Sequence, residues 1–153
     1  MKRFLMAILS LMVIPLSLSG VTIKTAYTRY YEDGEIRPIR QYFGGNLKLQ
    51  GFRTVIASDP STPEGQYFIA KLSDAKKGQA NTVRMTLYAS DSKDFTVHTW
   101  DLTGESLSGW LYLGLTGKDW PSDDVKPLAW RIEILDGESL LAEWKSFLWE
   151  MPG

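Results

Sequence analysis

The residues able to do chemistry are few and widely spaced. The chain holds no cysteine and one histidine, His98, so thiolate catalysis and disulfides are excluded, and a Ser-His-Asp arrangement would have to be built around that single imidazole. His98 lies within FTVHTW, on the side opposite Phe95 and Val97, and reads as an ordinary strand residue. No G-x-S-x-G elbow, phosphate-binding glycine loop or H-E-x-x-H is present, and one imidazole without thiolates is a poor basis for a zinc site. Carboxylates are the remaining acid–base resource. Asp119, Asp123 and Asp124 cluster in GKDWPSDDVKP, and Asp91 and Asp94 in SDSKD. Neither cluster has the alternating order of a calcium loop, and no spacing singles out a glycosidase pair. The expectation is therefore no catalytic residue, no metal and no cofactor, the acidic clusters serving turns and solubility.

Aromatic side chains are the one suggestive resource. Alternation in WLYLGL sets Trp110 and Tyr112 opposite Leu111, Leu113 and Leu115, and alternation in LLAEWKSFLW sets Phe147 and Trp149 with Glu143 and Lys145, away from Trp144. By the same count Trp100 falls opposite Val97. Trp110, Tyr112, Phe147 and Trp149 are thus the candidate contact residues for a ligand or partner, since aromatics are enriched at protein interfaces and flat rings can stack on sugars. The competing reading is that these rings are simply core.

The elements that must position them are strands. Apolar runs at 21–31, 46–52, 66–72, 82–90, 95–100, 110–115, 129–135 and 140–149 are cut by turn-forming clusters such as EDGE, SDPSTPEG and AKKGQAN, and no stretch after residue 20 keeps a helical stripe over three turns. About seven or eight short strands so spaced predict an all-β, immunoglobulin-like antiparallel sandwich, with a small barrel as the alternative. The final hairpin has a definite expected register. A three-residue loop, Asp136-Gly137-Glu138, opposes Ile134 to Leu140, Ile132 to Ala142, Trp130 to Trp144 and Arg131 to Glu143, keeping like faces together. A two-residue loop would oppose Trp130 to Glu143. Trp130 and Trp144 are accordingly expected in the core, and Phe147 and Trp149 outside it unless a bulge near Ser146 turns them.

Lys2 and Arg3 precede an uncharged apolar run from Phe4 to Leu16 and small residues at Ser17 and Ser19, the three-part plan of a secretory signal peptide. The run is broken by Pro15 and is short for a membrane span of about 20 residues. The expected organisation is a signal peptide at 1–19 and one domain at 20–153, exported to the periplasm or secreted, without stable membrane insertion after cleavage. The whole chain carries 17 Lys+Arg against 18 Asp+Glu, and loss of Lys2 and Arg3 makes it more acidic, so nucleic acid, which demands a basic face, is not an expected partner.

WRIEILDGESLLAEWKSFLWEMP (130–152) and RTVIASDPSTPEGQYF (53–68) resemble segments of small exported bacterial proteins with an immunoglobulin-like fold and no characterised activity. The resemblance implies a fold and an exported location, and carries over no catalytic or ligand residue. The function expected is a binding or interaction module that is not an enzyme, with a protein or glycan as partner. A carbohydrate-binding sandwich using exposed aromatics is the alternative, and a hydrolase working through carboxylates is the third reading. A coplanar exposed aromatic pair would favour sugar, a broad apolar patch a protein, and two carboxylates facing each other in a cleft the enzyme.

Overall fold

A computed structural model describes residues 21–36, 48–49, 53–73, 82–102 and 109–149. The expected signal peptide at 1–19 and most of the 46–52 run lie outside the described residues. Among these residues nine strands are formed: β1 Thr22–Tyr31, β2 Lys48–Leu49, β3 Arg53–Ala57, β4 Gly65–Ser73, β5 Thr82–Ala89, β6 Thr96–Asp101, β7 Gly109–Thr116, β8 Pro127–Asp136 and β9 Ser139–Lys145. They make two open sheets, β1-β4-β7-β3-β2 and β6-β5-β8-β9. The result is the all-β sandwich that the spacing predicts, and the sheets do not close into a barrel. Leaving β2 and β3 aside, the chain changes sheet from β4 to β5, from β6 to β7 and again from β7 to β8, giving β1-β4-β7 against β6-β5-β8-β9. This is the Greek-key connectivity of an immunoglobulin-like domain with its fourth strand carried on the second sheet.

The interior is built by alternation. In β5, Val83, Met85, Leu87 and Ala89 are buried while Thr82, Arg84, Thr86 and Tyr88 are half-exposed. These meet Phe68, Ala70 and Leu72 of β4 and Leu111, Leu113 and Leu115 of β7, with Trp120, Trp130, Ile132 and Ile134 completing the cluster. Phe68 makes T-shaped contacts with Trp120 and Trp130 at ring separations of 6.4 and 5.5 Å, the edge-to-face geometry that aromatic quadrupoles favour.

A second apolar cluster lies on the other face of the five-stranded sheet. Tyr31, Ile36, Val55, Tyr67, Ile69 and Tyr112 are buried together there, with Ile36 supplied by a helical turn at 33–36. Tyr67 anchors it. Its hydroxyl donates to the Pro63 carbonyl at 2.7 Å, a buried tyrosine tied to backbone just upstream, as in the tyrosine corner of immunoglobulin-like domains. Its ring lies so close to Gly114 that a Cβ there would come within 2.6 Å of it. The loop after β3 is pinned to the end of β7: the Thr116 hydroxyl donates to the Asp59 carbonyl and accepts from the Asp59 N–H, at 2.9 and 3.0 Å.

Three expectations need correction. RTVIA (53–57), counted as no strand, forms β3 and pairs parallel to β7, with Arg53 beside Trp110 and Val55 beside Tyr112, whereas the other pairings among the described residues are antiparallel. The β8–β9 register also differs. The turn is two residues, with Asp136 opposite Ser139 and Leu135 opposite Leu140, and a bulge then sets Ile134 opposite Ala142, Ile132 opposite Trp144 and Arg131 opposite Lys145. Gly137 supplies the positive φ of 58° that such a turn requires. The bulge absorbs one residue, so like faces still meet without the three-residue loop. Trp130 is buried, but Trp144 is only half-buried, and Arg131 pairs with Glu133 at 3.2 Å instead of Glu143. Finally, β9 stops at Lys145, and Phe147–Trp149 form a 3-10 turn.

Candidate functional site

The four candidate contact residues do not share one surface. Trp110 and Tyr112 do point away from the sandwich interior, yet Tyr112 is only 5% exposed because it belongs to the second cluster. It is no contact residue; the correction is that outward direction and exposure are different things when a sheet is covered on both faces. Trp110 sits half-buried at the margin of that cluster, its ring 6.1 Å from Tyr27 and 5.6 Å from the Lys71 ammonium. Phe147 and Trp149 lie over the opposite layer of the molecule, against the outer face of the four-stranded sheet.

The turn that carries them is held by Ser146. Its N–H donates to the Trp130 carbonyl at 2.9 Å, its hydroxyl accepts from the Trp130 N–H at 2.9 Å, and its carbonyl accepts from the Trp149 N–H at 3.1 Å. Ser146 thereby continues pairing with β8 for one residue and folds the chain across the sheet. Trp149 lands beside Phe95, with ring centroids 5.2 Å apart and planes at 70°, while the Arg131 guanidinium stands over its ring at 5.0 Å from the centroid. Phe95 in turn meets Tyr88 at 5.4 Å. The row Tyr88, Phe95, Trp149, Arg131 thus crosses the outer face, flanked by Val97, Phe147 and Leu148. Phe147 is 78% exposed, Val97 59%, Phe95 56% and Leu148 50%.

Phe95 and Val97 were missed in sequence because alternation in FTVHTW fixes only which residues share a side. The structure sets the direction: Val97 stands beside Thr86 on the outer face, and Trp100 pairs with Val83 and is buried inside. Next to the aromatic row this face is polar. Glu133 is buried under two arginines, receiving Arg84 Nε and a terminal nitrogen at 3.0 and 3.1 Å and Arg131 at 3.2 Å. Bonding to that carboxylate raises the Arg84 pKa further, so the charge is fixed at any working pH.

A cleft of about 380 Å³ opens at the β6 margin, between Thr96 and His98 on one side and the segment Lys118–Pro121 on the other, with Leu87, Ala89 and Val125 in its lining and Asp91 and Ser92 beside them. His98 is half-buried there, and its Nε2 lies 3.1 Å from the Thr96 hydroxyl. Burial pushes its pKa below the ordinary 6.5, with the Asp119 charge acting weakly in the opposite sense. The ring is therefore neutral near pH 7, one nitrogen a donor and the other an acceptor. Nothing in the spacing of His98 and Asp119 signals this meeting, which depends on the loop after β7 folding back toward β6. Among the described residues no group of three or more His, Asp or Glu could hold a metal ion, and no helix is long and apolar enough to cross a membrane.

No family model, curated protein or solved structure matches this chain.

Proposed function

We propose that the chain is an exported, non-enzymatic binding module that docks a protein partner through the outer aromatic face of its four-stranded sheet. The observation that carries this reading is the contact of Phe95 with Trp149 on the outer face, with Val97 on the same face two residues from Phe95 and with Phe147 and Leu148 in the turn that carries Trp149, each of these four half or more exposed. Single exposed apolar residues are ordinary, but a contiguous group rimmed by polar side chains is a mark of an interaction site. Its composition matches the centre of a protein interface, where aromatics and Arg are enriched: Trp149 is in contact with both Phe95 and Arg131. The steep 70° angle between Trp149 and Phe95 gives a ridge, not the coplanar platform on which sugar rings stack, so the protein partner is preferred over a glycan here. Export is supported by Lys2, Arg3 and the apolar run from Phe4.

The reading is tested in the native host by replacing Phe147 with a photoreactive amino acid in the full-length chain. Discrete crosslinked species are expected, and they should be lost when Trp149→Ser is added. A crosslinking pattern no different from that of the same probe at the exposed Lys24 of β1 would overturn it.

A further inference from the structure

Among the described residues the two sheets end on four strands, β1 and β2 in one and β6 and β9 in the other. An edge strand offers a row of unpaired N–H and C=O groups to any other extended chain, and folds blunt such edges with charge, bulges or brevity. Three of the four are blunted. β1 carries Lys24 and Arg29 and breaks register with β4 between Ile23 and Thr25. β9 carries Glu143 and Lys145 beside a bulge against β8, and β2 is two residues long.

β6 has none of these devices. It runs in unbroken register with β5, from Thr96 opposite Leu87 to Asp101 opposite Thr82, and FTVHTW (95–100) holds no proline, no glycine and no Lys, Arg, Asp or Glu. Its one titratable side chain, His98, is held neutral near pH 7 by burial. Thr, Val and Trp favour extended backbone, and an uncharged segment of this kind is a template for a further strand. Among the described residues no backbone hydrogen bond reaches β6 beyond its ladder with β5.

The side chains of this edge fit a copy of itself. An antiparallel second β6 keeps inner residues with inner and outer with outer when the two-fold axis passes through a residue position. Centred on Val97, the pairing opposes Val97 to Val97 of the second copy, Phe95 to Thr99 and Thr96 to His98, and it brings Lys93, ahead of the strand, level with Asp101. Apolar and hydroxyl side chains then meet one another, and the terminal charges are of opposite sign. Centring it on His98 opposes Phe95 to Asp101, and on Thr99 opposes Val97 to Asp101. Both set an apolar side chain against a carboxylate. Phe95 and Val97 are 56% and 59% exposed, so the outer side of the favoured pairing is open.

We infer that β6 is the edge through which two copies of this chain associate, antiparallel about a two-fold axis at Val97, so that their four-stranded sheets join into one of eight strands. The contact is made by the backbone of β6 and does not use Phe147 or Trp149, so it stands or falls separately from the docking role of the ridge.

The test uses the chain expressed in its native host and purified as that host processes it, with sedimentation equilibrium for mass and urea denaturation for folding. The parent should show a monomer–dimer equilibrium. Val97→Lys, at a position already facing water, sets two ammonium groups opposite each other and should weaken the dimer about tenfold with the urea midpoint unchanged. Phe147→Ser should leave the dissociation constant of the dimer as it is, whatever it does to solubility. Because the chain has no cysteine, a single introduced thiol reads the register. Under mild oxidation Val97→Cys should give a covalent dimer, since the position faces its own copy, while Thr99→Cys, which faces Phe95 instead, should not. Should Val97→Lys fail to fold, the two cysteine variants decide alone. The inference is overturned if the parent stays monomeric up to its solubility limit, if folded Val97→Lys dimerises as well as the parent, or if Thr99→Cys crosslinks as readily as Val97→Cys. Loss of the dimer in Phe147→Ser would place the contact on the ridge and would equally overturn it.

Discussion

Both sheets turn aromatic residues away from the sandwich interior, and the two outer faces end differently. On the five-stranded sheet Tyr31, Tyr67 and Tyr112 are buried with Ile36, Val55 and Ile69. On the four-stranded sheet Phe95, Val97, Phe147 and Leu148 face solvent. Alternation along a strand is the same in both cases, so it cannot be what decides. The difference lies in what is laid over the strands. The buried face is made of tyrosines, which carry a polar group that must be satisfied when water is removed, and Tyr67 does so through Pro63. The exposed face carries Phe95, Phe147 and Trp149, with Tyr88 half-buried at the end of the row, and one short turn crosses it. The first is a second core and the second is a surface.

That contrast is broken most directly at Tyr67. If the outer cluster is core, Tyr67→Ala should cost about 3–5 kcal/mol, as for other large aromatics removed from a packed site. This is a large fraction of an ordinary domain's 5–15 kcal/mol. Urea denaturation of the variant should show a much lower midpoint with an unchanged slope. A midpoint near that of the parent would mean that the five-stranded sheet has only one buried face.

Gly114→Ala asks the same question without removing a contact. The added methyl would come within 2.6 Å of the Tyr67 ring, and because that ring is buried and its hydroxyl is tied to Pro63 it has little room to withdraw. Overpacking of this kind costs about 1–3 kcal/mol. Combining it with Tyr67→Ala should recover most of that loss, since the methyl then enters the space the ring leaves. Strictly additive losses in the double variant would show that the two residues do not share a site.

The β-class, the two-sheet architecture and the inner core were legible because they rest on alternation within single strands: TVRMTLYA reads as inside and outside residue by residue, and so it folds. What escaped depends on contacts between distant segments. β3 pairs parallel to β7, a long-range partnership that leaves no period-two signature in RTVIA different from that of a loop. The hairpin register turned on one bulged residue in β9. In FTVHTW both sides carry a large apolar residue, so direction could not be chosen. Strand parity set Phe147 and Trp149 outward although they stand on a 3-10 turn and not on a strand, whereas Phe95 and Val97 needed the sheet order. His98 and Asp119 needed the folding of the loop after β7.

A finer division of the first face comes from Tyr67→Phe. It keeps the ring against Gly114 and removes only the hydroxyl that donates to Pro63 at 2.7 Å. The loss should be about 1 kcal/mol, the usual net worth of one hydrogen bond, rising toward about 2 if the Pro63 carbonyl is left without a partner. Thermal unfolding of the two variants side by side should therefore rank Tyr67→Ala far below Tyr67→Phe. Equal losses would assign the whole effect to the hydrogen bond and none to the packing of the ring.

The smallest effect belongs to the second face. Phe147 is 78% exposed and stands in a turn fixed by the backbone and side chain of Ser146, whose bonds to Trp130 do not involve the phenyl ring. Phe147→Ser removes apolar area that is already in contact with water, so the folded and unfolded states lose nearly the same favourable transfer, and stability should stay within about 0.5 kcal/mol of the parent. Solubility should rise, because less of the ridge remains to meet another apolar surface. The measurement is paired: the urea midpoint for stability, and sedimentation or light scattering at high concentration for association. If the midpoint instead falls as it does for Tyr67→Ala, Phe147 is covered in solution and the two outer faces are alike. If it stays put, the contrast stands, and a ring that contributes nothing to folding has been kept on the surface at the tip of a turn.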